Sequence, residues 1–282
     1  MTLIECIPNF SETKETTLNA IINSIEQFDE VKVLDLHKDI DHNRSVITFI
    51  GNENIFKAAY EAIKTASELI DISKHQGKHP RIGSTDVLPF VALKDISEQE
   101  LIKKVNDLAQ KIAKELNIPI YLYEKSAIKE NRKNLADIRN QEYLKEPDFG
   151  PKENLKAGKT AIGVRDILVA YNINLQTSDI KIANQIAKKI RESDGGLKNI
   201  KALGIMLKNR NLAQVSMNLT DYKVTNMEEV FHLVEKLAKE NQVEILESEL
   251  VGLSPKAAMG NMTAEDLKIF NFSEKKILGN NY

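Results

Sequence analysis

Strand-like and helix-like segments follow one another regularly along the first part of the chain. Apolar and polar residues alternate, as they do in half-buried strands, over residues 3–7, 31–36, 45–50 and 85–93. Apolar residues recur at helical spacing over residues 18–25 and 55–70, which predicts two helices between these strands. The resulting order, β-α-β-β-α-β, is typical of a ferredoxin-like split βαβ unit.

A further helix and strand extend this first unit. An apolar stripe from Leu101 to Leu116 predicts a long amphipathic helix. Residues 118–123 have the composition of a strand, and Pro119 favours a position at the edge of a sheet. Residues 125–166 contain few large apolar side chains, so we expect short helices near 132–144 and then an ordered loop. A long loop in a compact protein is often functional.

The same order of elements repeats in the second part of the chain. Alternating patterns predict strands at residues 167–175, 201–207, 213–219 and 243–250, and apolar stripes predict two helices between them. The predicted fold class is α/β, or more closely α+β. It consists of two ferredoxin-like βαββαβ subdomains with helices layered on mixed or antiparallel sheets. We place the subdomains at residues 1–166 and 167–282.

Composition and charge restrict the classes of protein to which the chain can belong. Hydrophobic residues make up 42% and charged residues 28%, which is typical of a globular protein and excludes a disordered one. A net charge of −2 provides no basic excess for a phosphate backbone, so no nucleic-acid partner is expected. The single cysteine, Cys6, excludes an internal disulfide. The sequence shows neither a bilayer-spanning apolar run nor a signal peptide, so we expect a cytoplasmic protein without a membrane partner.

Histidines cluster in the first third of the chain, at His37, His42, His75 and His79. Imidazole titrates near neutrality and suits both proton transfer and metal binding. Gly77 and Pro80 disfavour a helix across the last two histidines, so His79 is interpreted as a loop residue directed individually. Lys78 and Arg81 flank it, and we expect such cations to favour the neutral base. A solvated basic loop is the alternative interpretation.

Residues 148–163 form a third polar region. Its glycines permit close approach of a ligand, and its lysines offer contacts to anions. A phosphate-binding P-loop is excluded because its first glycine would fall on Glu153. Spacing alone leaves a plain interdomain linker as the alternative.

Seven motifs together resemble one enzyme family. They are ECIPNFSE (5–12), DHNRSV (41–46), HQGKHPRIGSTDVLPF (75–90), IPIYLYE (118–124), DFGP (148–151), NLAQVSMNL (211–219) and ELVGLSP (249–255). On these residues the chain resembles glutamate formiminotransferase, the folate enzyme of histidine breakdown, in its stand-alone form without a fused cyclodeaminase.

The resemblance implies a fold, a reaction and site residues. The family has two α/β subdomains with a ligand tunnel between them and is commonly dimeric, so a homodimer is expected. Its reaction moves a formimino group between N-formimino-L-glutamate and N5 of tetrahydrofolate, a co-substrate, without a metal. The family's general base, the second histidine of the HQGxHP motif, falls on His79. Its folate-binding stretch falls on Gly150, Pro151, Lys152, Glu153, Asn154, Leu155, Lys156, Ala157 and Gly158.

The matched motifs also supply residues expected to orient the substrates. They are Arg44 and Arg81 for substrate carboxylates, and Asn9, Asn43, Thr85 and Asp86 for His79 or the ligand. In the implied reaction, N5 attacks the formimino carbon. His79 takes the proton from N5 and returns it to the departing nitrogen of glutamate.

Three other functions stay open at the level of sequence. A glutamate formyltransferase using formyltetrahydrofolate would differ only by oxygen in place of NH on one carbon. A metal-dependent hydrolase would combine the histidines with Asp35, Asp39 or Asp41 and would bind zinc. A folate-binding protein without catalytic activity would give His79 no role in proton transfer.

Overall fold

The computed structural model describes residues 2–40, 43–75, 81–139, 146–270 and 272–279. The chain divides into two compact units, Met1–Arg165 (unit 1) and Asp166–Tyr282 (unit 2). Among the described residues, no helix combines the length and the apolar character needed to cross a bilayer. The ligand tunnel expected from the family resemblance stays a prediction.

Unit 1 contains a mixed sheet and the helices that cover one of its faces. Its elements are β1 (Leu3–Cys6), β2 (Asn9–Phe10), α1 (Glu15–Glu26), β3 (Val31–Asp39), β4 (Arg44–Gly51), α2 (Ile55–Leu69), β5 (Thr85–Lys94), α3 (Glu98–Leu116), β6 (Ile120–Leu122), α4 (Leu135–Ile138) and β7 (Thr160–Val164).

The first five strands of unit 1 confirm the ferredoxin-like prediction. β1 and β2 together form one interrupted strand that pairs antiparallel with β4 on one side and with β5 on the other. The interruption lies at Pro8, which has no backbone N–H to donate to a neighbouring strand. β3 pairs antiparallel with β4. The spatial order β3-β4-β1/β2-β5 is that of a split βαβ unit.

The remaining part of the sheet differs from the sequence prediction. β7 pairs parallel with β5, and β6 pairs parallel with β7, so β6 is an edge strand as Pro119 indicates. β7 itself lies where the sequence predicts a loop, because Gly163 weakens the strand pattern. A side chain at Gly163 would bring its Cβ within 2.2 Å of the carbonyl oxygen of Tyr123, so only glycine fits this strand.

The core of unit 1 lies between the sheet and its three long helices. Ile21, Ile63 and Ile112, one from each helix, are fully buried in one cluster with Phe49 and Phe90 of the sheet. Each such side chain contributes roughly 1.5–3 kcal/mol by its removal from water. The helices thereby fix one face of the sheet and leave the strand ends available for polar side chains.

A buried ion pair anchors the segment that precedes the predicted folate-binding stretch. Arg132 is 2% exposed and pairs with Asp148, and its guanidinium also lies 4.9 Å from the ring centre of Tyr121. Asp148 accepts a hydrogen bond of 2.8 Å from the backbone N–H of Leu122. The DFGP motif is therefore held against β6.

Unit 2 has the same central topology without the parallel extension. Its elements are β8 (Val169–Leu175), α5 (Ile180–Ile190), β9 (Ile200–Leu207), β10 (Leu212–Leu219), α6 (Met227–Glu240), β11 (Ile245–Val251), β12 (Ser254–Pro255) and β13 (Ile277–Leu278). Four antiparallel strands follow the order β11-β8-β10-β9, again that of a ferredoxin-like unit. α6 begins with a capping box in which Asn226 and Glu229 each bond the other's backbone N–H.

Candidate active site

The predicted base His79 lies outside the described residues, as do Lys78 and His42. The described residues on either side of this gap form a polar cluster at one end of the unit 1 sheet. The site is therefore built from the residues that precede and follow His79.

Arg81 links the segment after His79 to two other parts of unit 1. Its Nη1 donates a hydrogen bond of 3.0 Å to the carbonyl oxygen of Asn43 and contacts Nε2 of His75. Asn43 is in the left-handed region (φ 47°), and its Oδ1 accepts a hydrogen bond of 3.1 Å from the Thr13 hydroxyl. Burial and the Arg81 charge lower the pKa of His75, although Glu12 opposes them, so this imidazole is neutral at pH 7.

Asp86 fixes the other end of the same segment. Its side chain is 1% exposed, and Oδ1 accepts a hydrogen bond of 2.8 Å from the backbone N–H of Ile82. Its Oδ2 forms an ion pair with Nη2 of Arg139, the residue that follows α4. Sequence reasoning did not single out Arg139, because its partner is 53 residues away and many charged residues surround it in the chain.

Three arginines and two aspartates lie close together at this end of the sheet. Arg44 and Asp39 are in register across the β3–β4 pair, while Arg81 and Arg139 contact the flanking segments described above. Burial lowers the pKa of Arg44 and Arg139 lowers it further, against the opposing effects of Asp39 and Asp86. Guanidinium groups in such a cluster supply both positive charge and hydrogen-bond donors, which suit an anionic ligand group.

The predicted folate-binding stretch contacts the segment that follows His79. Ser84 donates a backbone hydrogen bond of 2.7 Å to Ala157, and Lys159 donates one of 2.8 Å to Ile82. Gly158 has a φ of +72°, and a Cβ there would lie 2.5 Å from the carbonyl oxygen of Ile82. The structure thus brings two motifs that are about 75 residues apart in the sequence into direct backbone contact.

Within this stretch, the polar side chains hold the loop in shape. Oδ1 of Asn154 accepts hydrogen bonds from the backbone N–H groups of Lys156 (3.1 Å) and Ala157 (2.9 Å). The Lys156 ammonium donates to the carbonyl oxygen of Glu68 at 2.6 Å, and Lys152 forms an ion pair of 2.9 Å with Glu146. Lys152 and Lys156, two of the three lysines that the sequence offered for anion contacts, are therefore engaged by the protein itself.

Two other candidates, Asn9 and Thr85, lie on the neighbouring strands β2 and β5. Asn9 is in register with Val46 and Val87, whereas Thr85 is in register with Phe10, a core residue. The Thr85 hydroxyl oxygen is buried and has no hydrogen-bond partner among the described residues. The β2–β5 register is irregular between the two pairs that contain these candidates.

Two buried titratable groups lie on β1. Burial raises the pKa of Glu5 to about 7, an effect that the Arg165 charge partly opposes. Burial and the Glu5 carboxylate also raise the pKa of the Cys6 thiol, which disfavours the nucleophilic thiolate. Cys6 is thus a core residue of unit 1.

Asp35 and Asp39, the described carboxylates of the alternative metal site, belong to β3. Among the described residues, no group of three or more His, Cys, Asp and Glu side chains is arranged to hold a metal ion.

Comparisons with known proteins agree with the sequence motifs in both units. The N-terminal subdomain of the formiminotransferase domain matches residues 3–165, and the formiminotransferase domain matches residues 170–277.

Full-length relatives show the same similarity. Glutamate formimidoyltransferase of Thermoplasma acidophilum is 43% identical over 99% of this chain and 96% of its own length. The enzyme of the same name from Streptococcus pyogenes is 41% identical over 99% of this chain and 98% of its length. Formimidoyltransferase-cyclodeaminase of Mus musculus is 39% identical over 91% of this chain but only 51% of its own length. The chain belongs to the formiminotransferase family.

Proposed function

We propose that this protein transfers a formimino group between N-formimino-L-glutamate and N5 of tetrahydrofolate, with His79 as the general acid and base. Membership of the formiminotransferase family carries this proposal, together with relatives above 40% identity over nearly their whole length. The contact between the stretch around Gly158 and the segment after His79 supports it, because the reaction requires both substrates to meet at one base.

His79 has two tasks in this reaction. It accepts the proton that the attacking nitrogen must lose, and it donates a proton to the nitrogen of glutamate as that group departs. A single imidazole performs both steps because its pKa lies near neutrality. His75 does not compete for this role in our proposal, because its Nε2 is engaged by Arg81.

The predicted folate-binding stretch, Gly150–Gly158, exposes charged side chains and one leucine. Its lysine and asparagine side chains hold the loop, while Leu155 is 80% exposed. An exposed leucine on an otherwise fixed loop suits the flat ring system of a folate better than it suits a phosphate. Asn9 and Thr85 remain candidates for orienting the substrates.

The names of the relatives favour formimino transfer over formyl transfer. We also propose that the protein is cytoplasmic and forms a homodimer. A defined molecular mass in solution, measured by light scattering, tests the dimer.

The decisive experiment measures the two transfer reactions side by side. The purified protein is incubated with tetrahydrofolate and N-formimino-L-glutamate, and separately with formyltetrahydrofolate and glutamate, and the folate products are separated by mass. We expect rapid turnover of the formimino pair and much slower turnover of the formyl pair. Preference for the formyl pair would reassign the transferred group, and no turnover of either pair would contradict the proposed function.

A further inference from the structure

Arg139 is the member of the arginine cluster to which neither the sequence motifs nor the family comparison gives a role. It follows α4, and its backbone N–H closes that helix on Leu135 at 3.1 Å. Its side chain is 18% exposed and reaches the start of β5, where Nη2 pairs with Asp86.

The strand register brings Arg139 to the same end of the sheet as the other two arginines. Arg44 begins β4 and Asp86 lies at the start of β5, with β2 between them. Two strand spacings separate the backbones by about 10 Å, a distance that long arginine side chains span. Arg81 is bonded to Asn43, the neighbour of Arg44, so all three guanidinium groups converge.

The two aspartate carboxylates of the cluster already interact with groups of the protein. One oxygen of Asp86 accepts from the Ile82 N–H and the other pairs with Arg139. Asp39 lies opposite Arg44 in the β3–β4 ladder. The Arg139 side chain is 18% exposed, and its buried Nε has no hydrogen-bond partner among the described residues. A guanidinium with donors left over is well suited to bind a carboxylate in a forked geometry.

We propose that Arg139 binds the α-carboxylate of N-formimino-L-glutamate, and of glutamate after transfer. This inference rests on the proposed function. Asp86 holds both Arg139 and the Ile82 N–H, three residues after His79, so the Arg139 guanidinium lies beside the segment that carries the base. In the amino-acid substrate the α-carboxylate is attached to the carbon that bears the reacting nitrogen. The glutamate tail of tetrahydrofolate, the other source of a carboxylate, is separated from N5 by an aromatic ring.

Two variants of Arg139 and one matched control test this assignment. Arg139→Gln removes the charge, Arg139→Lys keeps the charge without the fork, and Lys133→Gln removes an exposed cation from the same segment. We expect Arg139→Gln to raise the KM for N-formimino-L-glutamate about 10- to 100-fold, the range for losing a hydrogen bond to a charged group. The KM of Arg139→Lys for the same substrate should lie between those of the wild type and Arg139→Gln. The KM of Lys133→Gln should match that of the wild type. The KM of Arg139→Gln for tetrahydrofolate should stay within about twofold of the wild-type value. An increase in the KM for tetrahydrofolate alone would overturn the proposal.

Two substrate analogues show which carboxylate of N-formimino-L-glutamate Arg139 binds. N-formimino-4-aminobutyrate lacks the α-carboxylate, and N-formimino-2-aminobutyrate lacks the side-chain carboxylate. The wild type should have a lower kcat/KM for both analogues than for N-formimino-L-glutamate. For Arg139→Gln, kcat/KM should be nearly the same for N-formimino-4-aminobutyrate and for N-formimino-L-glutamate, because the variant no longer binds the α-carboxylate. An equal further loss of kcat/KM with N-formimino-4-aminobutyrate in wild type and variant would overturn the proposal.

A double variant distinguishes a role of Arg139 in stabilising the fold from a role in binding the substrate. Arg139→Gln leaves Asp86 buried without its ion-pair partner, which destabilises the fold. Asp86→Asn combined with Arg139→Gln removes both charges, and its melting temperature shows whether the fold has recovered. If the recovered double variant regains wild-type KM for N-formimino-L-glutamate, Arg139 is structural and the proposal fails. If the KM stays high, the proposal holds.

Binding of glutamate, measured by calorimetry, separates this inference from the proposed function. An inactive wild type would contradict the proposed function. In that case, loss of glutamate binding in Arg139→Gln still supports the role of Arg139, and unchanged binding overturns it. An active wild type with unchanged kinetics in Arg139→Gln would overturn the inference alone.

Discussion

The two units share the central strand order of a ferredoxin-like unit, yet the carboxylates on their strands differ in environment. In unit 2, Glu247 accepts hydrogen bonds from Asn174 (2.9 Å) and Arg210 (2.5 Å), and Gln214 donates to Asn174 at 2.9 Å. Burial raises the pKa of Glu247, but the hydrogen bonds from Arg210 and Asn174 outweigh it and the net shift is downward. In unit 1, burial raises the pKa of Glu5 to about 7.

Hydroxyl groups show the same contrast. The buried hydroxyls of Ser45, Thr48 and Thr85 in unit 1 have no hydrogen-bond partner among the described residues, and no such buried polar atom occurs in the described part of unit 2. Native proteins satisfy nearly all buried polar groups, so exceptions concentrate where a ligand or a reaction uses them. The described residues of unit 2 thus satisfy its buried polar groups, whereas several buried polar groups of unit 1 lack a partner among the described residues.

Replacing one histidine in each unit should give the largest difference in catalytic activity between the two units. His79→Ala should lower kcat by roughly a hundredfold to ten-thousandfold, the range for losing a general base, with a much smaller change in tetrahydrofolate affinity. His232→Ala, in α6 of unit 2, is the matched control and should keep activity within about twofold. Steady-state kinetics from about pH 5 to 8 should also show the wild-type rate falling at acid pH as the base is protonated. Near-normal turnover in His79→Ala would reject the assignment.

Two glycines with positive φ test whether the proposed folate-binding stretch depends on close backbone contact. Gly158→Ala combines a strained conformation with a clash against Ile82, and should cost about 2–5 kcal/mol of unfolding free energy. Gly195 in unit 2 has a φ of +87° and no atom within 4 Å of the position that a methyl group would occupy, so Gly195→Ala should cost only about 1 kcal/mol. Chemical denaturation measures both, and equal costs would show that the Gly158–Ile82 contact adapts freely.

Glu5 and Glu247 should give pH effects of opposite sign. The folded-state pKa of Glu5 is about 7 against an ordinary 4.5, so its protonated form favours folding below pH 4.5 and this contribution disappears as the pH rises to 7. Glu5→Gln should therefore match the wild type near pH 4 and exceed its stability by about 3 kcal/mol at pH 8. Thermal unfolding across this range measures the difference, and a gain that does not depend on pH would contradict it.

The contribution of Glu247 to stability should show the opposite pH dependence. Because the folded-state pKa of Glu247 is lowered, its stabilisation is present above pH 4.5 and is lost as the pH falls. Glu247→Gln should cost about 1 kcal/mol at pH 7, a small value because solvent reaches this carboxylate and screens its partners. The same thermal unfolding series measures this cost, and a cost that persists at pH 3 would contradict the assignment to charge.

The sequence predicted the repeated topology because strand and helix periodicities are local signals. The stripe of α3 and the alternation of β10 are both visible within a few turns or residues. β7 was missed because its requirement for Gly163 comes from Tyr123, which lies about 40 residues away, beyond the range of any local pattern. Arg139 was missed for the same reason, since only the folded chain shows that Asp86 is its partner. Local patterns thus predict elements, whereas the site is made by contacts between distant segments.

The position of β7 also determines when the unit 1 sheet can be completed during synthesis. β7 lies between β5 and β6 but follows both in the chain, so β6 finds its parallel partner only after residue 164 has been made. Until then the edge of β5 has open N–H and C=O groups, which attract strands of other chains. Long-range parallel pairing is slow because the loop must close first. We expect nascent chains halted near residue 159 to aggregate, and chains extended past Val164 to remain dispersed.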